Sequence, residues 1–308
     1  MNTENQTTLD LMTELHPRRD FKSRMFIMIY RDKKRLLNLY NAISGRRYTD
    51  PEQLSITTLE NAIYMSMKND VSFLIGMRLS LYEHQSTFNP NMAIRFLFYL
   101  ADLYSGLLKN YNLFSTKQVM IPPPKFIVFY NGVDERPDHE IHRLSDSYIV
   151  QEEPICLELL VEVFNINKGH NRELMEACKD LADYAEYTYR VRKYAKEMPI
   201  EDAVERTINE CIQEGILKDF LLQNRAEAKK MSIYEYNEEE HMRMERRDAY
   251  EDGVADGLAA GREEGLAAGR KELFELMKRM TSDGLGPLTS RLASDPAFYE
   301  EMMQKYFG

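Results

Sequence analysis

The chain has no tryptophan, only three cysteines and no long apolar run. A helix that crosses a bilayer needs about 20 consecutive apolar residues, so no membrane-spanning segment is expected. The opening Met1-Asn2-Thr3-Glu4-Asn5 has no signal-peptide character, and the sequence reads as cytoplasmic. Cys156, Cys178 and Cys211 are odd in number and far apart, which argues against a disulfide framework or a zinc ribbon and leaves reduced core residues. Also missing are a His-Glu-x-x-His zinc-protease motif and any helix-turn-helix or zinc-finger reader of DNA sequence. Asp134, Glu135, His139 and His142 then read as a surface loop after Asn131-Gly132 rather than as a metal cluster.

What is present is enough apolar content, 44% of 308 residues, to bury one sizeable core beside an accessory region. The net charge of -10 is unevenly divided. Residues 1–150 hold 18 Lys and Arg against 16 Asp and Glu, whereas the remainder holds 22 against 34. Within the first half, ten basic residues between Arg18 and Arg47 face only Asp20 and Asp32. That block, including Lys33, Lys34, Arg46 and Arg47, reads either as a phosphate-contacting surface or as a solvated helix face.

Periodicity predicts a helix over Lys22–Ser44, ended by Gly45, and a strand over Ser55–Ser66 after the Asp50-Pro51 turn. Two strands follow as a hairpin over Asp70–Ser86. Pro90 opens an amphipathic helix to about Leu108, and Lys125–Tyr130 is a short buried strand between Pro122-Pro123-Pro124 and Asn131-Gly132. A helix between the third and fourth strands requires a parallel, right-handed crossover, hence a mixed sheet covered by helices. Leu157–Val163 adds a further strand. From Asn171 the pattern turns helical, over Arg172–Met198, Ile200–Arg225 and a charged segment from about Glu238.

The hairpin carries the chemistry. With Gly76-Met77 as a two-residue turn, Ile75 faces Arg78, and counting outward sets Asp70 opposite Glu83. Opposed side chains have Cβ atoms roughly 4.5 to 5.5 Å apart, where two like charges repel unless something neutralises them. A divalent cation meets that need. Mg²⁺ takes one or two carboxylates, waters and substrate phosphate oxygens, which suits phosphodiester chemistry. Gln85 shares the face of Glu83 because strand side chains alternate. Glu60 falls at the far end of the sheet. Arg95, on the following helix, is placed either to reach a phosphate or to close a helix-to-sheet salt bridge.

An Asp opening one strand and Glu-x-Gln on the next is similar to the PD-(D/E)XK nuclease signature. The stretches Asn69–Ile75 and Leu81–Met92, then Arg95, Phe129-Tyr130-Asn131-Gly132 and Gly169–Met175, resemble the recombination-promoting nucleases, also called YhgA-like or putative transposase proteins. Asn69 stands where the family has Pro and Gln85 where it usually has Lys. The resemblance implies an αβββαβ restriction-endonuclease-like core over residues 1–170, with a helical accessory and oligomerisation region over 171–308. It also implies a Mg²⁺-dependent DNA endonuclease, with Mn²⁺ as a substitute and a role in recombination, mobile-element or phage biology. Asp70, Glu83 and the main-chain carbonyl of His84 would hold the metal, and Gln85 would position a water. The alternative is a catalytically weakened DNA-binding or interaction module in which Asn69 and Gln85 record decay of the site. His170 reads as a polar contact at a helix entry.

Gly253, Gly257, Gly261, Gly265 and Gly269 recur every four residues, and Gly257-Leu-Ala-Ala-Gly-Arg262 is repeated as Gly265-Leu-Ala-Ala-Gly-Arg270. Each glycine costs a helix roughly 1 kcal/mol relative to alanine. The array therefore implies either close approach of helices in a homo-oligomer or a flexible charged arm.

Overall fold

The computed structural model describes residues 24–57 and 70–308. The helix expected over Lys22–Ser44 is two, α1 (Arg24–Tyr30) and α2 (Lys33–Ser44). Asp32 makes the break: its Oδ1 accepts the Arg35 N–H at 2.9 Å and caps α2. Gly45, at φ 65°, ends it. Strand β1 is Ser55–Ile56, and the expected extension beyond Thr57 lies outside the described residues, as do Glu60 and Asn69.

Strands β2 (Val71–Ile75) and β3 (Arg78–Gln85) form the hairpin in the expected register, with Ile75 opposite Arg78 and Val71 opposite Tyr82. Both turn residues have positive φ, 51° at Gly76 and 60° at Met77, as the tightest hairpin turn requires. Helix α3 (Met92–Leu108) crosses to β4 (Pro124–Tyr130), which lies parallel to β3. Of the residues read as a surface loop, Asp134 and Glu135 lie outside any helix or strand, whereas His139 and His142 belong to an edge strand, β5 (His139–Arg143), antiparallel to β6 (Leu160–Asn165). Strand β6 starts three residues later than expected and runs parallel to β4. The result is an α/β fold around a six-stranded mixed sheet in the order β1-β2-β3-β4-β6-β5.

Alternation along the strands splits the core between the two faces. Leu79, Leu81, Phe126, Val128, Val161 and Val163 pack beneath Met92, Phe96, Tyr99 and Leu103 of α3. Phe73, Tyr82, Ile127 and Phe129 pack on the other face beneath α1, α2 and the helices that follow β6. Those are α4 (Arg172–Ala177), α5 (Lys179–Tyr194), α6 (Ile200–Glu214), α7 (Lys218–Gln223) and the first part of α8 (Arg225–Ser282). Leu181, Tyr184, Tyr187, Val204, Ile208, Leu221 and Ala228 all enter this core, so helices expected to belong to an accessory region complete the sheet domain.

The chain divides into compact units at Glu240 and His241. In the second unit, Leu276 and Met280 of α8 pack with Leu292 and with Phe298 and Met302 of α9 (Pro296–Phe307). Asp295 caps α9 by accepting the Phe298 N–H at 3.1 Å. Among the described residues, no helix is long and apolar enough to cross a membrane.

Candidate active site

Three strands that run the same way, β3, β4 and β6, end together at Gln85, Tyr130 and Asn165. Open α/β sheets bind ligands outside the carboxyl ends of their strands. Asp70 and Glu83 sit at this end, next to the last β2–β3 pair.

Hydrogen bonds hold the two carboxylates together. The Asp70 N–H donates to Glu83 Oε2 at 3.1 Å, and the His84 N–H donates to Asp70 Oδ2 at 2.7 Å. Two adjacent carboxylates are hard-oxygen donors of the kind Mg²⁺ accepts. Among the described residues, no three His, Cys, Asp or Glu side chains gather into a metal-binding group. Any cation here would depend on main chain, water and substrate for its remaining ligands.

Of the two roles open to Arg95, the structure shows the salt bridge. Its Nη2 lies 2.6 Å from Glu83 Oε1. The same guanidinium donates to the Tyr99 hydroxyl from Nε at 3.0 Å and from Nη2 at 2.6 Å. Tyr99 is one helical turn further along α3; sequence reasoning passes over it, although spacing of four on a helix places it beside Arg95. Burial works against the Arg95 charge, but Glu83, Tyr99 and Asp70 together raise its pKa above the ordinary value.

The His84 side chain faces away from this site. Its ring stacks on Phe26 at 5.1 Å between centroids, and Nε2 lies 3.0 Å from the Tyr184 hydroxyl. Burial, with a smaller contribution from Arg192, lowers its pKa to about 3, so the imidazole is neutral at physiological pH. Gln85 is buried on the Glu83 face, and its carbonyl accepts the Asn131 N–H at 2.8 Å.

A polar network, also unread in the sequence, fastens the strand ends. Asn167 Nδ2 donates to the Gly132 carbonyl at 2.9 Å and to Asn165 Oδ1 at 3.0 Å, while Arg192 of α5 donates to the Asn131 carbonyl. Gly132 passes so close to the Ser86 carbonyl that a Cβ would collide with that oxygen. His170 is the polar contact expected, with Nδ1 2.6 Å from Asp138 Oδ1.

The basic residues lie elsewhere. Lys33 pairs with Glu52 at 2.8 Å, and Lys34, Arg46 and Arg47 are exposed. Arg46 and Arg47 lead into Tyr48, whose hydroxyl abuts Gly76 at the turn end of the hairpin. Six residues of strand put that turn roughly 20 Å from Asp70. Arg18, Arg19 and Lys22 lie outside the described residues.

No protein-family model matches the chain, and comparison with curated proteins and with solved structures gives no significant match.

Proposed function

We propose that the protein is a Mg²⁺-dependent DNA endonuclease of the PD-(D/E)XK type, active in recombination or in mobile-element or phage biology. The observation that carries this reading is the joining of Asp70 and Glu83 by backbone amides at the carboxyl end of β3, beside Gln85 and Arg95. Asp70, Glu83 and the His84 carbonyl would hold the metal. When bound, Mg²⁺ supplies Lewis-acid charge for the phosphate and acidifies a water. Gln85 has no charge to offer, so its part is to orient the attacking water through its amide. Arg95 neutralises the carboxylate pair in the free protein and, once Glu83 is otherwise engaged, carries a guanidinium toward a phosphate oxygen.

The Arg95 contact also favours a second reading, a weakened DNA-binding module. A salt bridge already on Glu83, with Gln85 in place of Lys, is what a site that no longer needs a metal would keep. Plasmid nicking with and without Mg²⁺, on the parent and on Asp70→Ala, separates the two. Cleavage that needs both Mg²⁺ and Asp70 supports the nuclease. Its absence, with no Asp70-dependent binding of Mg²⁺ or Mn²⁺, supports the module.

A further inference from the structure

The end of the sheet opposite the carboxylates is unusually apolar at its surface. Pro124 pairs with Leu79, and Phe126 with Val161, so the β2–β3 turn and the segments entering β4 and β6 lie along one rim. There Phe114 is 99% exposed, Met77 83% and Met120 80%, and Ile149 is fully exposed. An apolar rim of this kind on a folded domain marks an interaction surface.

Two features of the rim complement each other. The first is an open groove of about 380 Å³ lined by Leu74, Met77, Leu107, Tyr111, Met120 and Ile121. Cations adjoin its lining in sequence: Arg78 follows Met77 and donates to the Gly76 carbonyl at 3.0 Å, Lys109 lies between Leu108 and Tyr111, and Lys117 comes three residues before Met120. The nearby Glu52 is taken up by Lys33. The second feature is the loop from Tyr148 to Leu159, which projects Ile149, Val150, Ile155 and Leu157 beside Glu152 and Glu153. This loop is held in shape: the Tyr148 hydroxyl donates to the Leu157 carbonyl at 2.6 Å, and Ser145 Oγ donates to Glu158 Oε2 at 2.7 Å. A preformed loop loses little entropy on binding.

We propose that the rim pairs two copies of this chain about a two-fold axis, the groove of each copy taking the apolar, acidic loop of the other. An apolar groove edged by cations and an apolar loop edged by carboxylates, both on one rim, meet the self-complementarity of an isologous interface. The charges fix the register, and the apolar side chains supply the burial.

The chain's own cysteines provide the test. Cys156 is exposed on the loop, whereas Cys178 and Cys211 are buried. Full-length protein carrying Met120→Cys, treated with a short bis-maleimide, should give a covalent dimer that increases with protein concentration. The parent, and Met120→Cys combined with Cys156→Ser, should give none. In sedimentation velocity, Glu152→Lys with Glu153→Lys should shift the protein toward the lighter species, and adding Lys109→Glu with Lys117→Glu should restore the heavier one. No dimer at tens of micromolar, a cross-link confined within single chains, a dimer that survives Cys156→Ser, or failure of the charge swap to rescue would each overturn the pairing.

Discussion

Arg95 holds the Glu83 oxygen that a divalent cation would also need. A tethered cation of this kind stabilises the carboxylate pair and competes with any metal for it. Arg95→Gln should therefore tighten Mn²⁺ binding several-fold in a titration followed by electron paramagnetic resonance, while slowing the proposed cleavage about 10- to 1000-fold by removing the guanidinium proposed to reach a phosphate. Unchanged metal affinity would assign Arg95 to structure alone. Because Asp70 and Glu83 are proposed to share one metal, Asp70→Ala and Glu83→Ala should each abolish nicking. The double change should cost hardly more than either alone, as for residues that act as a unit. Gln85→Ala should slow nicking while leaving metal binding intact. Glu235, on α8, gives a prediction independent of the site. It accepts the Met25 N–H at 2.9 Å, and burial raises its pKa to about 7, with Arg192 opposing and Glu238 and Glu239 adding to the shift. The folded chain then keeps a proton that the unfolded chain releases above pH 4.5, so this contribution to stability is present below pH 4.5 and lost as the pH rises to about 7. Glu235→Gln should flatten that dependence and stabilise the protein at pH 8 by on the order of 2 to 3 kcal/mol. Urea denaturation of parent and variant at pH 4.5 and pH 8 measures it.

Elements differ in how much of their structure is local, and legibility in the sequence follows that difference. The β2–β3 hairpin is readable to the residue because its turn chemistry and its alternation are both local, and Ile75 opposite Arg78 follows from them alone. Strand β5 is not readable. His139, Ile141 and Arg143 are exposed on an edge, where charged residues discourage further pairing and so imitate a loop. The break between α1 and α2 rests on one cap, Asp32, inside an otherwise continuous helical pattern. The clasp at the strand ends cannot be read, because Arg192 and Asn131 are 61 residues apart in sequence. That clasp suggests a test at Gly132. A Cβ there meets the Ser86 backbone, which cannot rotate aside, so Gly132→Ala should cost about 1 to 3 kcal/mol and move the end of β3. Thermal unfolding reads the stability. Loss of nicking beyond what the remaining folded fraction explains would show that Gln85 has moved with it.

For the whole molecule, the distribution of charge matters more than its total. The basic block lies in the first half, and Arg46 and Arg47 adjoin Tyr48, whose hydroxyl abuts the turn end of the hairpin, so a duplex touching both that end and Asp70 would lie along the hairpin for roughly 20 Å. Changing Lys33, Lys34, Arg46 and Arg47 to Gln should weaken DNA binding and flatten its salt dependence, by up to about 0.9 in logarithmic slope for each phosphate no longer neutralised. Lys33 should contribute least because Glu52 already holds it. An unchanged slope would return the block to a solvated face.

The acidic second half repels a polyanion, which leaves α8 a different role. At Gly253, Gly257, Gly261, Gly265 and Gly269 a Cβ would meet nothing within 4 Å, so no packing inside their own compact unit accounts for five costly glycines in one helix. We propose that they allow helices from separate chains to approach closely. Residues four apart form a ridge inclined to the helix axis, and two such ridges pack with the helices crossing at about 50°. Gly257→Leu, Gly261→Leu and Gly265→Leu together raise helix propensity yet fill that ridge. The triple variant should have a smaller mass by light scattering than the parent, while still forming the Met120→Cys cross-link to Cys156, since the rim belongs to the other compact unit. A parent that is monomeric at tens of micromolar, or a variant of unchanged mass, would leave the array as a charged arm.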